Sequence, residues 1–195
     1  MKKLIVGTFL TLDGVMQAPG DPQEDTEGDF KHGGWQVPLF DEDAGRIIGE
    51  SIAATDALLL GRVTYQIFAG FWPTAPDDDP IAKKLNSVPK YVVSTTLKKV
   101  EWNNSTLIKG NVAEEVAKLK QQPGSGFISV TGSGKLAQTL MKHDLVDEYS
   151  LLIHPVVLGS GKRLFEGGIV PLNLKLVDTK TTGSGIVILT YLPAK

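Results

Sequence analysis

The chain has 195 residues, 42% of them hydrophobic and 22% charged, with a formal net charge of −2. This length suits one buried core, so we expect a single domain over residues 1–195. Without a basic surplus no nucleic-acid partner is expected, and the absence of cysteine excludes disulfides and thiolate chemistry. The three histidines lack the spacing of metal ligands, so we expect no metal site.

The chain begins with MKKLIVGTFLTLDG, in which two lysines precede an apolar run, as in a signal peptide. The run is short, is interrupted by Gly7 and Thr8, and is followed by no small-residue cleavage site. We interpret it as a first strand that ends at Asp13 and Gly14. No run of about 18 apolar residues occurs, so the sequence predicts no membrane span and a cytoplasmic protein.

Compact apolar runs bounded by turn residues predict strands at 3–10, 56–60, 90–95, 126–131 and 147–158. Several runs lack polar alternation, which is typical of interior strands in a mostly parallel sheet with helices on both faces. After residue 170 the pattern alternates, and Gly183, Ser184 and Gly185 precede the run IVILTYL. This pattern predicts a C-terminal antiparallel hairpin.

Helical patterns lie between the predicted strands, so strands and helices are expected to alternate along the chain. The clearest is an apolar stripe formed by Phe40, Ala44, Ile47, Ile48 and Ile52. Other helices are predicted at about 63–70, 80–87, 112–120 and 135–143. The long polar and glycine-rich segment 13–38 is predicted to be a loop that shapes the substrate pocket.

The segment SVTGSGKLA, residues 129–137, permits three interpretations as a phosphate-binding motif. A mononucleotide P-loop requires a glycine where Ser129 stands and a hydroxyl where Leu136 stands, so that interpretation fails. A dinucleotide fingerprint matches at Gly132, Gly134 and Ala137, but it lacks the acidic residue expected about 20 positions further on. The third interpretation is a nicotinamide cofactor held by a different fold.

Three predicted strand ends carry residues that can hold phosphate, namely 61–64, 94–96 and 132–135. In an open α/β sheet these ends line up along one edge, where ligands bind. Arg62 and Thr64 fall at a predicted helix start, which favours anions, and Gly132 and Gly134 let the main chain approach a ligand closely. Each segment alone is also typical of an ordinary turn. Their recurrence on successive strands predicts a single phosphate site.

The residues also resemble a known superfamily. LLLGRVTYQIF and YVVSTTL resemble cofactor-binding segments of dihydrofolate reductases. LVDEYSLLIHPVVLGSGKRLF resembles the reductase domain of bifunctional riboflavin-biosynthesis deaminase-reductases, in which a proline-valine strand leads into L-G-x-G-x-x-L-F. The matching residues are Pro155, Val156, Leu158, Gly159, Gly161, Leu164 and Phe165. The zinc signature of the deaminase half is absent, so riboflavin synthesis is not assured.

This resemblance implies a three-layer α/β/α dihydrofolate reductase-like fold, a bound NADPH and a homodimer. Arg62 and Thr64 would meet the adenosine 2′-phosphate and the pyrophosphate, and a second cation at Lys135 would favour NADPH over NADH. Ser94 and Thr95 would line the adenosine, and residues 132–136 would wrap the pyrophosphate. The full implied cofactor set is Gly61, Arg62, Thr64, Ser94, Thr95, Gly132, Ser133, Gly134, Lys135 and Leu136.

The resemblance also implies catalytic candidates in the stretch GGWQVPLFDEDAGR. Dihydrofolate reductases carry a tryptophan, a proline and a carboxylate there, and Trp35, Pro38, Asp41 and Asp43 occupy similar places. Asp43 is favoured by its spacing to Gly61, and Asp41 stays a candidate. Burial beside an apolar substrate would raise the pKa of such a carboxyl and make it a proton donor. Alternatively, these aspartates only stabilise the helix start.

His154 lies in an apolar strand and is interpreted as a satisfied interior or interface residue rather than a catalyst. Two functions remain. The first is an NADPH-dependent reductase of a small heterocycle, either pterin-like or ribosylaminopyrimidine-like. The second is a non-catalytic NADP(H)-binding or nucleotide-binding protein of the same fold.

Overall fold

The computed structural model describes residues 1–167 and 170–194. The strands are β1 (Lys3–Thr11), β2 (Thr55–Gly61), β3 (Lys90–Val93), β4 (Ser105–Ile108), β5 (Phe127–Thr131), β6 (Glu148–His154), β7 (Leu174–Thr181) and β8 (Val187–Pro193). The α-helices are α1 (Glu42–Ala53), α2 (Arg62–Phe71), α3 (Pro80–Ser87), α4 (Val112–Lys120) and α5 (Gly134–Lys142). Within the described ranges, no helix has the length and apolar content needed to cross a membrane.

The strands form one sheet in the order β4-β3-β2-β5-β1-β6-β8-β7. The strands from β4 to β6 in this order pair in parallel, whereas β8 runs antiparallel to both β6 and β7. The predicted mostly parallel sheet with a C-terminal antiparallel hairpin is therefore confirmed. Because β3, β2, β5 and β1 are neighbours and parallel, their carboxyl ends lie side by side at one edge.

Helices cover both faces of the sheet, because side chains of successive strand residues point to opposite faces. On one face, Leu4 and Val6 of β1 and Ile128 of β5 pack with apolar residues of α4 and α5. On the other face, α2 and α3 pack on Leu58 and Leu60 of β2, and α1 packs on β6 and the start of β8. The predicted three-layer α/β/α architecture is confirmed.

The helices predicted at about 63–70 and 80–87 are confirmed as α2 and α3. The predicted strict alternation is wrong in the middle of the chain, because both of these helices lie between β2 and β3, and β4 follows β3 with no helix between them. The sequence of β4, STLI, has four residues, which is too short for periodicity to identify a strand. The predicted helical stripe also begins too early, because Asp41 is the N-cap of α1 and Phe40 lies outside the helix.

Two strands end earlier than predicted. β3 ends at Val93, because the buried hydroxyl of Ser94 accepts hydrogen bonds from the N–H groups of Thr96 and Leu97 and so forms a turn. β6 ends at His154, and the next residue is a proline, which has no N–H to continue the hydrogen-bond ladder.

The loop after β1 is tied to the loop after β6 through the carboxylate of Asp13. Its oxygens accept hydrogen bonds from the Thr11 hydroxyl (2.6 Å), Leu158 N–H (3.2 Å) and Gly159 N–H (2.8 Å). Arg163 Nη2 lies 3.4 Å from Asp13 Oδ2. The Thr11 hydroxyl contributes most to lowering the pKa of Asp13 to about 2, the backbone N–H groups add to this effect, and partial burial opposes it.

Asp13→Asn removes an anion that these donors stabilise, so it should lower the free energy of unfolding by about 2 kcal/mol at neutral pH. The folded-state pKa of about 2 lies below the ordinary value of 3.8. The stabilisation is therefore complete at pH values above the ordinary pKa of 3.8, and it is lost as the pH falls through the folded-state pKa of about 2. Urea unfolding at several pH values should show the wild type and the variant converging from about pH 4 to about pH 2.

The matched control is Asp77→Asn, an exposed aspartate in the segment between α2 and α3, which should change stability by no more than about 0.5 kcal/mol. A stability difference for Asp13→Asn that stays constant down to about pH 2 would contradict the role given to the carboxylate.

Candidate functional site

α2 and α5 begin side by side where β2 and β5 end, and both differ from the other α-helices in how they begin. The N-caps of α1, α3 and α4 are Asp41, Asp79 and Asn111, and each accepts a hydrogen bond from an N–H of its own helix. The N-caps of α2 and α5 are Gly61 and Ser133, and neither residue caps its helix with a side chain. Both first turns therefore lack a capping oxygen, and the helix dipole makes an anion the favoured acceptor.

Ser133 joins these two helix starts instead of capping its own helix. Its Oγ accepts a hydrogen bond from Gly61 N–H (2.9 Å) and donates one to Thr64 Oγ1 (2.8 Å). Gly132 and Ser133 have φ angles of 59° and 56°, in the left-handed region. A Cβ at position 132 would lie 3.4 Å from Thr64 Oγ1. The structure thus brings together four of the predicted cofactor residues.

Each of these two helices carries a cation near its start. Arg62 is the first residue of α2, Lys135 is the second residue of α5, and both are exposed. Arg62 Nη1 donates to Gln66 Oε1 one turn further along α2, at 2.9 Å. This surface contact is weak enough to be exchanged for an anionic ligand. The two helix starts and the two cations together form a candidate phosphate site.

Burial limits which atoms of the remaining predicted cofactor residues can contact a ligand. Ser94 is buried, and its Oγ already accepts two N–H groups of its own turn, whereas the neighbouring Thr95 is exposed. Leu136 is 7% exposed and packs into the core beneath α5, so only its backbone can face a ligand. At Gly134 a Cβ would lie 2.9 Å from Met16 Sδ. The loop after β1 therefore packs directly on the glycine-rich turn.

Beside the phosphate site lies a strip of small residues that the sequence pattern did not single out. We call Gly7, Ser129, Thr131 and Ser150 the central strip. Gly7 pairs with Thr131 of β5 and with Ser150 of β6, and the hydroxyl oxygens of Ser129 and Thr131 are 3.2 Å apart. Gly132 N–H donates to Gly7 O (3.3 Å), which connects the strip to the glycine-rich turn.

The central strip forms the floor of an open region on the face that carries α1, α2 and α3. It lies between the part of the sheet covered by α2 and α3 and the part covered by α1. A Cβ added at Gly7 would meet nothing within 4 Å. A glycine inside an apolar strand, and a serine and a threonine alternating with buried residues in FISVT, are the sequence signals that could have identified this floor.

Trp35 and His154 lie at the carboxyl end of the same face. Trp35 is buried, and its Nε1 donates to Gln17 O (2.8 Å), which fixes the ring within the loop 13–38. Its ring centroid is 5.1 Å from that of His154, in an edge-to-face arrangement. His154 is buried as predicted, but it is not fully satisfied, because its Nε2 has no hydrogen-bond partner among the described residues.

Neither candidate aspartate has the buried apolar setting that the sequence analysis expected. Asp41 caps α1 through Ala44 N–H (2.8 Å) and accepts Ser184 N–H of the β7–β8 turn (2.7 Å). The bond from Ala44, together with those from Ser184, lowers the pKa of Asp41 although desolvation opposes it. Asp43 is exposed, with Arg46 Nη2 3.4 Å from its carboxylate. The pKa of Asp41 is therefore lowered rather than raised, and Asp43 has no apolar surroundings.

Ser133→Ala removes the acceptor of Gly61 N–H and the donor to Thr64, so we expect the free energy of unfolding to fall by about 1–2 kcal/mol. Ser133→Gly loses the same hydrogen bonds, but glycine has no Cβ and adopts the left-handed backbone conformation without strain. This variant should therefore be about 1 kcal/mol more stable than Ser133→Ala. Urea unfolding of both variants measures the two effects. Ser125→Ala, in an exposed loop, is the control. Equal stabilities for the wild type and Ser133→Ala would refute the bridge.

Comparison with known proteins agrees with this geometry. The chain matches the RibD C-terminal domain family over residues 2–188. It is 34% identical over 193 residues to the uncharacterised protein YyaP of Bacillus subtilis (strain 168), covering 97% of this chain and 94% of that one. A structure from Shewanella sp. PV-4, named for riboflavin biosynthesis, is similar with a TM-score of 0.73 and 22% identity over 100% of both chains.

Enterococcus faecalis dihydrofolate reductase, solved as a complex with NADP(H), is similar with a TM-score of 0.63 and 15% identity, over 99% of this chain and 97% of that one. The dihydrofolate reductase-like fold expected from the resemblance is confirmed. The chain belongs to the RibD C-terminal domain family.

Proposed function

We propose that the protein is an NADPH-dependent reductase that transfers a hydride to a small heterocycle, pterin-like or ribosylaminopyrimidine-like. The observation that carries this proposal is the pair of adjacent uncapped helix starts, joined by Ser133 and flanked by Arg62 and Lys135. Backbone N–H groups at helix starts suit a pyrophosphate. The NADP(H) complex of the similar Enterococcus faecalis enzyme supports the same choice.

Arg62 and Lys135 are the reason for choosing NADPH over NADH. A guanidinium gains little from a bare ribose hydroxyl but forms charge-assisted hydrogen bonds with a phosphate. Both cations are exposed at the first turns of α2 and α5. They can therefore reach a ligand phosphate without first breaking a buried contact.

The bound cofactor supplies the hydride, and the protein must place the acceptor ring and exclude water. Gly7 leaves open space above β1, and the hydroxyls of Ser129 and Thr131 offer hydrogen bonds to a ring on the central strip. The loop 13–38 is held by Asp13 at its start and by Trp35 near its end, so it can limit the access of water to the site. Asp41 holds the start of α1 against the β7–β8 turn and so serves as a positioning residue.

A non-catalytic NADP(H)-binding protein is the second candidate function. One observation favours it. The hydrogen bonds of Asp41 stabilise its charged form, and Asp43 is exposed beside Arg46. Neither aspartate is therefore in a setting that favours donating a proton to a substrate. The candidate phosphate site does not depend on these aspartates.

Binding is tested by titrating NADPH and NADH into the wild type and into Arg62→Ala. The variant should bind NADPH about tenfold to a hundredfold more weakly, because a hydrogen bond to a charged group contributes about 1.5–3 kcal/mol. Its affinity for NADH should change by no more than about twofold, since NADH lacks the phosphate that Arg62 would meet. Lys135→Ala should also weaken the binding of NADPH more than the binding of NADH.

Lys83→Ala is the matched control, because it removes one exposed positive charge from α3. Equal weakening of NADPH and NADH in Arg62→Ala would contradict the assignment of Arg62 to the 2′-phosphate. Failure of the wild type to bind either coenzyme at millimolar concentration would overturn the proposed function. Oxidation of bound NADPH across a panel of pterins and pyrimidines then separates a reductase from a binding protein.

The family resemblance also predicts a homodimer, and the absence of a long apolar run in the sequence predicts a cytoplasmic location; both remain proposals. Light scattering of the purified protein at several concentrations tests the homodimer through the measured mass, compared with 21.0 kDa for one chain.

A further inference from the structure

His154 is a buried polar residue for which the proposed function has no role so far. It is the last residue of β6, it is 0% exposed, and its Nε2 has no hydrogen-bond partner among the described residues. Buried polar atoms are nearly always hydrogen-bonded. An unpartnered nitrogen beside the candidate substrate region therefore indicates a group that receives its partner from a ligand.

The strand backbones determine which ring nitrogen carries the proton. Nδ1 lies 3.0 Å from Leu152 O and 3.3 Å from Leu10 O, and both of these oxygens can only accept. Nδ1 must therefore donate. Burial lowers the pKa of His154, although the two carbonyls oppose this, so the ring is neutral and Nε2 presents a lone pair. Because Nδ1 faces the strands, Nε2 points away from the sheet.

The surroundings of the ring are aromatic and continuous with the central strip. Phe9 of β1 and Trp35 contact it edge to face, with centroid distances of 5.8 Å and 5.1 Å. Strand alternation puts His154 on the same face as Ser150, and Phe9 on the same face as Gly7. The ring of His154 contacts Phe9 and Trp35, and its hydrogen-bond partners are two backbone carbonyls. A flat, uncharged ring suits this setting.

We propose that His154 positions the substrate, its Nε2 accepting a hydrogen bond from an N–H of the substrate heterocycle. This inference rests on the proposed function and specifies how its substrate is recognised. Asp41 and Asp43, the carboxylates expected to orient the ring, are engaged with α1 and with Arg46. Recognition therefore passes to a neutral acceptor, which favours an unprotonated ring with an N–H donor. Because His154 is fully buried and Trp35 packs against it, a substrate ring reaches Nε2 only when the loop 13–38, which holds Trp35 through Gln17 O, shifts.

The test uses protein labelled with ¹⁵N at histidine, which gives signals from only three residues. NADP⁺ is added first, followed by 5,6-diaminouracil in one sample and by pterin in another. An accepted hydrogen bond should move the Nε2 resonance of His154 upfield with at least one of these rings. The resonance is assigned by its absence from the spectrum of His154→Gln. A histidine that only fills space would keep its Nε2 resonance unchanged.

Two variants provide a matched comparison of affinity for whichever ring binds. His154→Gln places an amide oxygen near the position of Nε2 and should keep most of the affinity. His154→Leu has a similar volume and no acceptor, and should weaken binding by about tenfold, the loss expected for one hydrogen bond. NADP⁺ affinity should be the same in both variants and in the wild type, which also shows that the fold is intact.

The outcomes separate this inference from the proposed function. In a second sample, labelled uniformly with ¹⁵N, the backbone amide signals of residues 132–136 report NADP⁺ binding independently of His154. If these signals move and the Nε2 resonance stays fixed at millimolar concentrations of both rings, the role of His154 is overturned and the cofactor assignment stands. Failure of NADP⁺ to move the amide signals overturns the proposed function itself.

Discussion

The candidate site depends on the two hydrogen bonds of Ser133, which hold the turn after β5 against the turn after β2. A serine at the start of a helix ordinarily caps that helix. Here the left-handed backbone directs the hydroxyl sideways to Gly61 and Thr64, so α5 and α2 both begin without a capping side chain. The stabilisation that capping would give to each helix is replaced by a link between them. The same link leaves two positive helix ends side by side, where an anion is attracted to both.

The sheet order explains why these two turns can meet. β5 lies between β2 and β1 although it follows β4 in the chain, so the glycine-rich turn reaches both Gly61 and Gly7. Gly7 belongs to the floor of the proposed substrate region. The candidate phosphate site and the proposed substrate region therefore share one strand end.

Much of the fold and the phosphate site could be predicted from the sequence, because both are marked by local patterns. Continuous apolar runs identified five parallel strands, β1, β2, β3, β5 and β6. Glycine, arginine and hydroxyl residues marked the ends of some of these strands. β4 was missed because four residues carry no usable period. The bridge from Ser133 could not be read either, because it depends on which strands are neighbours, and Gly61 is 72 positions away.

The sequence left two roles open for Asp41, as a proton donor or as a residue that stabilises the helix start. The structure shows stabilisation of the helix start, because Asp41 is the extended N-cap of α1 and accepts a hydrogen bond from Ala44 N–H. Its second partner, Ser184, lies 143 positions further along the chain. Sequence spacing alone could not reveal that this distant backbone N–H also stabilises the charged carboxylate.

The two halves of the site also differ in how their residues are distributed along the chain, and this difference has a consequence for specificity. The phosphate half consists of short consecutive turns, so it leaves a recognisable signature. The substrate half is assembled from single residues of β1, β5, β6 and the loop 13–38, such as Gly7, Thr131, His154 and Trp35. Replacing His154 or Trp35 would change the proposed substrate half without altering any residue of the turns at the candidate phosphate site. Function must therefore be argued from the site rather than from the fold.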